Sequence, residues 1–77
     1  MDELLEYLAR QLVEEPEAVK VDRFEEEDGT VVLELAVGSE DYGRIIGRRG
    51  RTANALRTVI KASAVRREQR VLVDIVD

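Results

Sequence analysis

The 77-residue sequence contains no cysteine, no histidine and no tryptophan, and only one proline. Without cysteine there is no disulfide framework and no thiolate metal site. Without histidine there is no imidazole for acid–base work near neutral pH, and nitrogen-ligated zinc and the common nucleophile–histidine pairs are excluded with it. Aromatic residues make up 4% of the chain, namely Tyr7, Phe24 and Tyr42. None lies in the Gly47–Gly50 segment or in the apolar run Val71 to Val76, so stacking of bases on aromatic rings is not evident. No apolar run approaches the roughly 20 residues that span a bilayer. The start, Met1-Asp2-Glu3, is acidic where a signal peptide is basic. A cytoplasmic protein is expected, made of one small domain over residues 1–77 and stabilised by packing of aliphatic side chains.

What the sequence does have is charge, and it is divided unevenly. The net charge is −5, which spread evenly would argue against a nucleic-acid partner. Residues 1–42 carry fourteen acids against Arg10, Lys20 and Arg23, a net of −11, whereas residues 43–77 carry nine bases against Glu68, Asp74 and Asp77, a net of +6. Arg44, Arg48, Arg49, Arg51, Arg57, Lys61, Arg66, Arg67 and Arg70 are interrupted only by Glu68. This half is suited to anion binding; the competing reading is an ordinary solvated, arginine-rich surface.

The apolar pattern predicts an α+β fold in the order αββααβ. Leu4, Leu5, Leu8, Leu12 and Val13 recur at spacings of three and four, which predicts an amphipathic helix over 2–15, ended by Pro16. Val19 to Phe24 alternates as a half-buried strand. The acidic turn Glu25-Glu26-Glu27-Asp28-Gly29 then leads into a second strand, Val31 to Val37, closing a hairpin. Ser39 is a candidate cap for a short helix reaching Ile46, with Glu40 and Asp41 in its first turn. Gly47 interrupts it. From Arg51 to Ala64 a longer helix presents Leu56, Val59 and Ile60 with Ala53 and Ser63 on one side, and Asn54, Arg57 and Lys61 on another. Val71 to Val76 is the last strand, with Asp74 marking a face open to water. Three strands with the helices on one face make a two-layer domain.

The segment that carries chemistry is Gly43-Arg44-Ile45-Ile46-Gly47-Arg48-Arg49-Gly50-Arg51. Two glycines three residues apart permit a tight turn and close backbone approach. The helix that follows offers amide groups and a dipole that favour an anion, and Arg48, Arg49 and Arg51 add charge. The spacing alone is common and ordinarily means a helix–turn–helix connection. A Walker A loop needs Lys-Ser/Thr after its second glycine and a dinucleotide fingerprint needs a third glycine after a strand, and neither is present.

An Ile-Gly-x-x-Gly loop joining two helices, here Ile45-Ile46-Gly47-Arg48-Arg49-Gly50, resembles the hallmark of the KH domain of RNA-binding proteins. The element order resembles the type II, bacterial arrangement. Asp41 to Thr52 and Ala55 to Thr58 are similar to the small stand-alone members of the KhpA family. The resemblance covers essentially the whole chain and implies a three-stranded mixed sheet whose last strand runs parallel to the first. It also implies that the Gly47–Gly50 loop clamps the backbone of single-stranded RNA. Arg48 and Arg49 would contact phosphates, Ile45 and Ile46 would help form the groove floor, and the last strand would form the opposing wall. Arg51 and Arg57 would extend the phosphate track, and Arg66, Arg67 and Arg70 would stand on the other rim. For Ile45 and Ile46 the competing reading is core packing; for Arg66, Arg67 and Arg70 it is surface charge or pairing with the acidic hairpin.

The expected function is non-catalytic RNA binding of low sequence specificity, without a cofactor. The resemblance implies RNA regulation or chaperoning linked to cell shape and division. It further implies action as a homodimer or beside a larger KH-containing protein of the Jag type, KhpB. The alternative is a protein-interaction module working through such a partner or through self-association. A nucleotide-handling enzyme is the remote third reading, since no carboxylate cluster accompanies a nucleophile or a phosphate loop.

Overall fold

A computed structural model describes all residues from Met1 to Asp77. The elements are α1 (Asp2–Leu12), β1 (Lys20–Glu25), β2 (Val31–Ala36), α2 (Tyr42–Ile46), α3 (Arg51–Arg66) and β3 (Val71–Val76). Short 3-10 turns lie at Pro16–Ala18, Ser39–Asp41 and Arg48–Gly50. The sheet order is β1-β2-β3, and no helix is long and apolar enough to cross a membrane.

The central strand is β2, whose Val31, Leu33 and Leu35 are fully buried beneath the helices. Leu5 and Ala9 of α1, Ile45 of α2, and Leu56, Ile60 and Ala64 of α3 close over them, with Val71 and Val73 of β3 completing the core. The buried face of α3 is Ala53, Leu56, Ile60 and Ala64, a spacing of three, four and four. Val59, expected in this stripe, lies one position off it and is exposed.

β1 pairs antiparallel with β2, as a hairpin must, and β3 pairs parallel with β2. The expectation that β3 runs parallel to β1 is therefore corrected: β3 is parallel to the second strand and points opposite to the first. After β2 the chain returns through α3, whose sixteen residues span about 24 Å at ~1.5 Å per residue. That covers the about 20 Å of a six-residue strand. One helical return brings the chain back to the starting end of β2, so the next strand must run the same way.

Three details differ from the sequence pattern, each for an identifiable reason. α1 ends at Leu12 rather than Glu15, because Val13 is extended and the amides of Glu14 and Glu15 donate to the Asp41 carboxylate, each at 3.1 Å. Pro16 opens a 3-10 turn, where its missing N–H is no loss. Ser39 caps nothing: the residue before that turn is Gly38, and no side-chain capping bond is made.

The face of the sheet away from the helices carries cross-strand rows set by the register. One row is Phe24, Val32 and Leu72; the next is Asp22, Glu34 and Asp74. Asp74 is exposed there as its pattern predicts, and so is Phe24, on the opposite face from Val21.

α3 ends in a paired C-terminal lock, with Gln69 N–H on the Ala64 carbonyl at 2.9 Å and Glu68 N–H on the Val65 carbonyl at 3.0 Å. The geometry requires a left-handed residue, and Glu68 supplies it at φ 55°. A left-handed non-glycine residue costs about 1–2 kcal/mol, offset in a glycine variant by about 0.4–1 kcal/mol of unfolded-state entropy. Glu68→Gly is accordingly expected to raise stability by about 0.5 kcal/mol in urea denaturation; a lower midpoint would show that the Glu68 side chain itself stabilises the fold.

Candidate nucleic-acid interface

The loop between α2 and α3 is a tight turn closed by the Gly50 N–H on the Gly47 carbonyl at 3.1 Å, while the Gly47 N–H ends α2 on the Gly43 carbonyl at 2.9 Å. Its two glycines are not equivalent. Gly47 sits at φ 77°, ψ 171°, a region essentially restricted to glycine. A Cβ there would collide with Thr52 Oγ1 and lie 2.8 Å from Thr52 Cβ and 2.9 Å from its backbone nitrogen. Gly50, at φ 73°, ψ 13°, has open space around it, its nearest neighbour being Asn54 Nδ2 at 4.0 Å. Between them Arg49 is itself left-handed, at φ 58°, ψ 25°, a strained setting for a side chain that makes no hydrogen bond or ion pair.

The loop is aimed by α2, and α2 is anchored by Asp41. This carboxylate is buried, 3% exposed, and accepts from the Glu14 and Glu15 amides across the fold. Arg44 Nε lies 3.4 Å from it and Arg44 Nη2 reaches Glu14 at 3.0 Å. The Glu14 amide bond, followed by that of Glu15 and the Arg44 guanidinium, holds the Asp41 carboxyl below its usual value, against the opposing effect of burial. Arg44 is thereby committed to structure rather than to a ligand.

The other basic residues divide in the same way. Arg48, Arg49, Arg51, Lys61, Arg66 and Arg67 are exposed. No acid lies within ion-pair distance of any of them, and none of their side chains makes a hydrogen bond. Arg70 lies 3.8 Å from Asp28 in the acidic turn, an exposed pair that salt screens easily. Asp28 is held mainly by Thr30, whose amide donates to it at 2.9 Å. Arg57 departs from its expected place on a phosphate track: it is half-buried and turns toward β3, where its Nε donates to the Val73 carbonyl at 3.2 Å. Ile45 is fully buried in the core and presents no surface to a ligand, whereas Ile46 is half-buried beside the loop.

A seam runs from the loop between α3 and the unpaired edge of β3. Asn54, Arg57 and Val73 occupy its middle, with Arg57 Nη1 3.5 Å from Asn54 Oδ1. Beyond them the seam opens into a depression of about 280 Å³ whose lining includes Lys61, Val65, Gln69, Arg70 and Leu72. Arg51 and Arg66 stand at opposite ends of α3, about 22 Å apart at ~1.5 Å per residue. Six of the eight bases without an ion pair or hydrogen bond thus follow the loop and α3, the other two being Lys20 and Arg23 of β1, and the acidic Glu26–Gly29 turn lies against the far end at Arg70. Sequence reasoning missed the parts of Asp41, Thr52 and Asn54. Asn54 had a usable signal, standing three residues before Arg57 on one helical face; the reach of Asp41 across 27 residues to Glu14 had none.

Known proteins resemble this chain over nearly its whole length. The family profile described as KhpA/KhpB, KH domain, matches residues 2–75. The RNA-binding protein KhpA of Clostridium perfringens is 45% identical over 76 residues, covering 99% of this chain and 100% of the relative. The protein of the same name from Clostridium acetobutylicum is 47% identical over 76 residues with the same coverage. That from Bacillus subtilis is 36% identical over 77 residues, covering 100% of this chain and 94% of the relative.

Proposed function

The chain belongs to the KhpA/KhpB KH-domain family, which is non-catalytic, and from that premise we propose that it binds single-stranded RNA along the seam between α3 and β3. Residues 1–77 act as one KH domain. The Gly47–Gly50 turn lets the sugar–phosphate backbone approach, Arg48, Arg49 and Arg51 contact phosphates, and the bases lie toward the edge of β3. Arg66, Arg67 and Arg70 meet the strand at the far rim, where Arg70 exchanges its weak pairing with Asp28 for a phosphate. Ile46 borders the groove and Ile45 supports it from the core.

The observation that carries this reading is the set of six unpaired cations on the loop and α3 in a chain whose net charge is −5. Lys20 and Arg23 of β1 are also exposed and unpaired, but they stand in the acidic half of the chain, whereas these six follow one another from Arg48 to Arg67 with no acid between them. Long-range repulsion from the acidic half is limited, because the molecule is 34 Å long and charges are screened over about 8 Å at physiological salt. Few base-reading groups and no aromatic platform make the recognition low in sequence specificity. That suits an RNA chaperone or post-transcriptional regulator in the cytoplasm, acting as a homodimer or beside a KhpB-type partner.

The test is fluorescence anisotropy with a short single-stranded RNA at low salt, comparing the wild type with Arg48→Asp, Arg49→Asp. Both residues are exposed, so circular dichroism should show an unchanged fold. Binding is expected to fall at least tenfold, since two attractive contacts become repulsive. Equal binding by the two proteins would remove the loop from the site.

A further inference from the structure

Arg57 does not behave like the phosphate-binding arginines around it. Arg48, Arg49, Arg51, Arg66 and Arg67 are exposed and unpaired; Arg57 is half-buried, set back between α3 and β3. Its Nε is fixed on the Val73 carbonyl at 3.2 Å, one of the outward-facing groups of an edge strand. Nη1 touches Asn54 Oδ1 only at the 3.5 Å limit, and Nη2 has no acceptor within the chain. The guanidinium is therefore held by one corner while the Nη1–Nη2 side of its planar fork is left open. Holding a long side chain in advance reduces the entropy lost on binding.

The location is equally specific. Asn54 lies beside Gly50 of the loop and one turn before Arg57, so the fork stands one step inward from where the backbone is clamped and before the 280 Å³ depression. A strand whose phosphates sit on the loop directs a base, rather than another phosphate, at this point.

We infer that Arg57 is a base-reading residue, and that the seam at Arg57 accepts a base presenting two adjacent hydrogen-bond acceptors, guanine or cytosine, in preference to adenine or uracil. This rests on the RNA-binding reading above and adds to it the one position at which sequence is felt. Two parallel N–H donors match the O6 and N7 atoms of guanine, or the O2 and N3 atoms of cytosine. Adenine places a donor beside each of its edge acceptors, and uracil alternates acceptor, donor, acceptor, so neither satisfies both arms.

The experiment measures binding of ten-nucleotide RNAs composed of uridine with a single central uridine, adenosine, cytidine or guanosine. The wild type is expected to bind the cytidine and guanosine forms about fivefold to tenfold more tightly than the other two. Replacing the guanine by 7-deazaguanine, which lacks the N7 acceptor, is expected to remove most of the guanine gain without any change to the protein. Arg57→Lys keeps the charge but loses the fork; it is expected to bring the four RNAs within about twofold of one another while leaving the salt dependence unchanged. Arg48→Asp, Arg49→Asp, by contrast, should weaken all four alike. Equal binding of the four RNAs by the wild type would overturn the role of Arg57 and leave the RNA-binding reading intact. So would a preference that survives both Arg57→Lys and 7-deazaguanine. Absence of binding to any of the four would overturn both.

Discussion

Gly47→Ala is expected to abolish RNA binding and to cost about 2–4 kcal/mol of stability, the largest effect of any single exposed-loop substitution in this chain. Two independent costs add. At φ 77°, ψ 171° a side chain is disfavoured by its own backbone, and the new methyl meets Thr52 at its side chain and its backbone nitrogen. That nitrogen belongs to the first turn of α3, so the clash cannot be relieved by a rotamer change. Either the loop opens or the helix start moves, and both misplace Arg48 and Arg49. Gly50 is the control. Its left-handed conformation is one asparagine tolerates, and nothing crowds it, so Gly50→Asn should cost less than about 1 kcal/mol. Urea denaturation of the two variants measures the contrast; similar midpoints would mean that the Gly47–Thr52 contact does not constrain the loop.

Asp41→Ala is expected to lower the melting midpoint at pH 7 by on the order of 10 °C, since a small domain moves several degrees for each lost strong interaction. The substitution leaves the Glu14 and Glu15 amides without their acceptor and Arg44 without one of its two partners. The effect also has a required pH dependence. The folded state holds the Asp41 carboxyl below the ordinary 3.8, so its stabilising contribution is complete above that value and is lost as the pH falls through the lower, folded-state value. The gap between wild type and Asp41→Ala should therefore be constant from neutral pH down to about 5 and close only below 3.8. A gap that closes near pH 6 would contradict the assignment. Because this carboxylate anchors α2, the variant should also bind RNA more weakly than its folded fraction alone accounts for.

The fold was legible where one residue type has one physical use. The 3.6-residue stripe of α1, the alternation and acidic turn of the hairpin and the apolar run at Val71–Val76 placed α1 and the three strands, because burial of one face leaves a periodic trace. The loop was legible because left-handed turns call for glycine. What could not be read depends on groups far apart in the chain. Pairing of β3 with β2 rather than alignment with β1 follows from the reach of α3, which no local pattern records. The end of α1 at Leu12 is set by Asp41, 29 residues on. Arginine is the hardest case, since Arg44, Arg48 and Arg57 look alike in sequence. One is an ion-pair anchor, one is free at the loop, and one is fixed on a strand edge. Only their surroundings separate them.

If unpaired cations on the loop and α3 hold the phosphates, RNA binding must weaken steeply as salt rises. A single strand releases about 0.7 counterions per neutralised phosphate, so three or four contacts give a slope of about −2 to −3 in log affinity against log salt. That slope is expected for the wild type, and a slope shallower by about 1.4 when Arg48 and Arg49 are both replaced by alanine. A wild-type slope near zero, or an unchanged slope in the variant, would contradict this role for the cations.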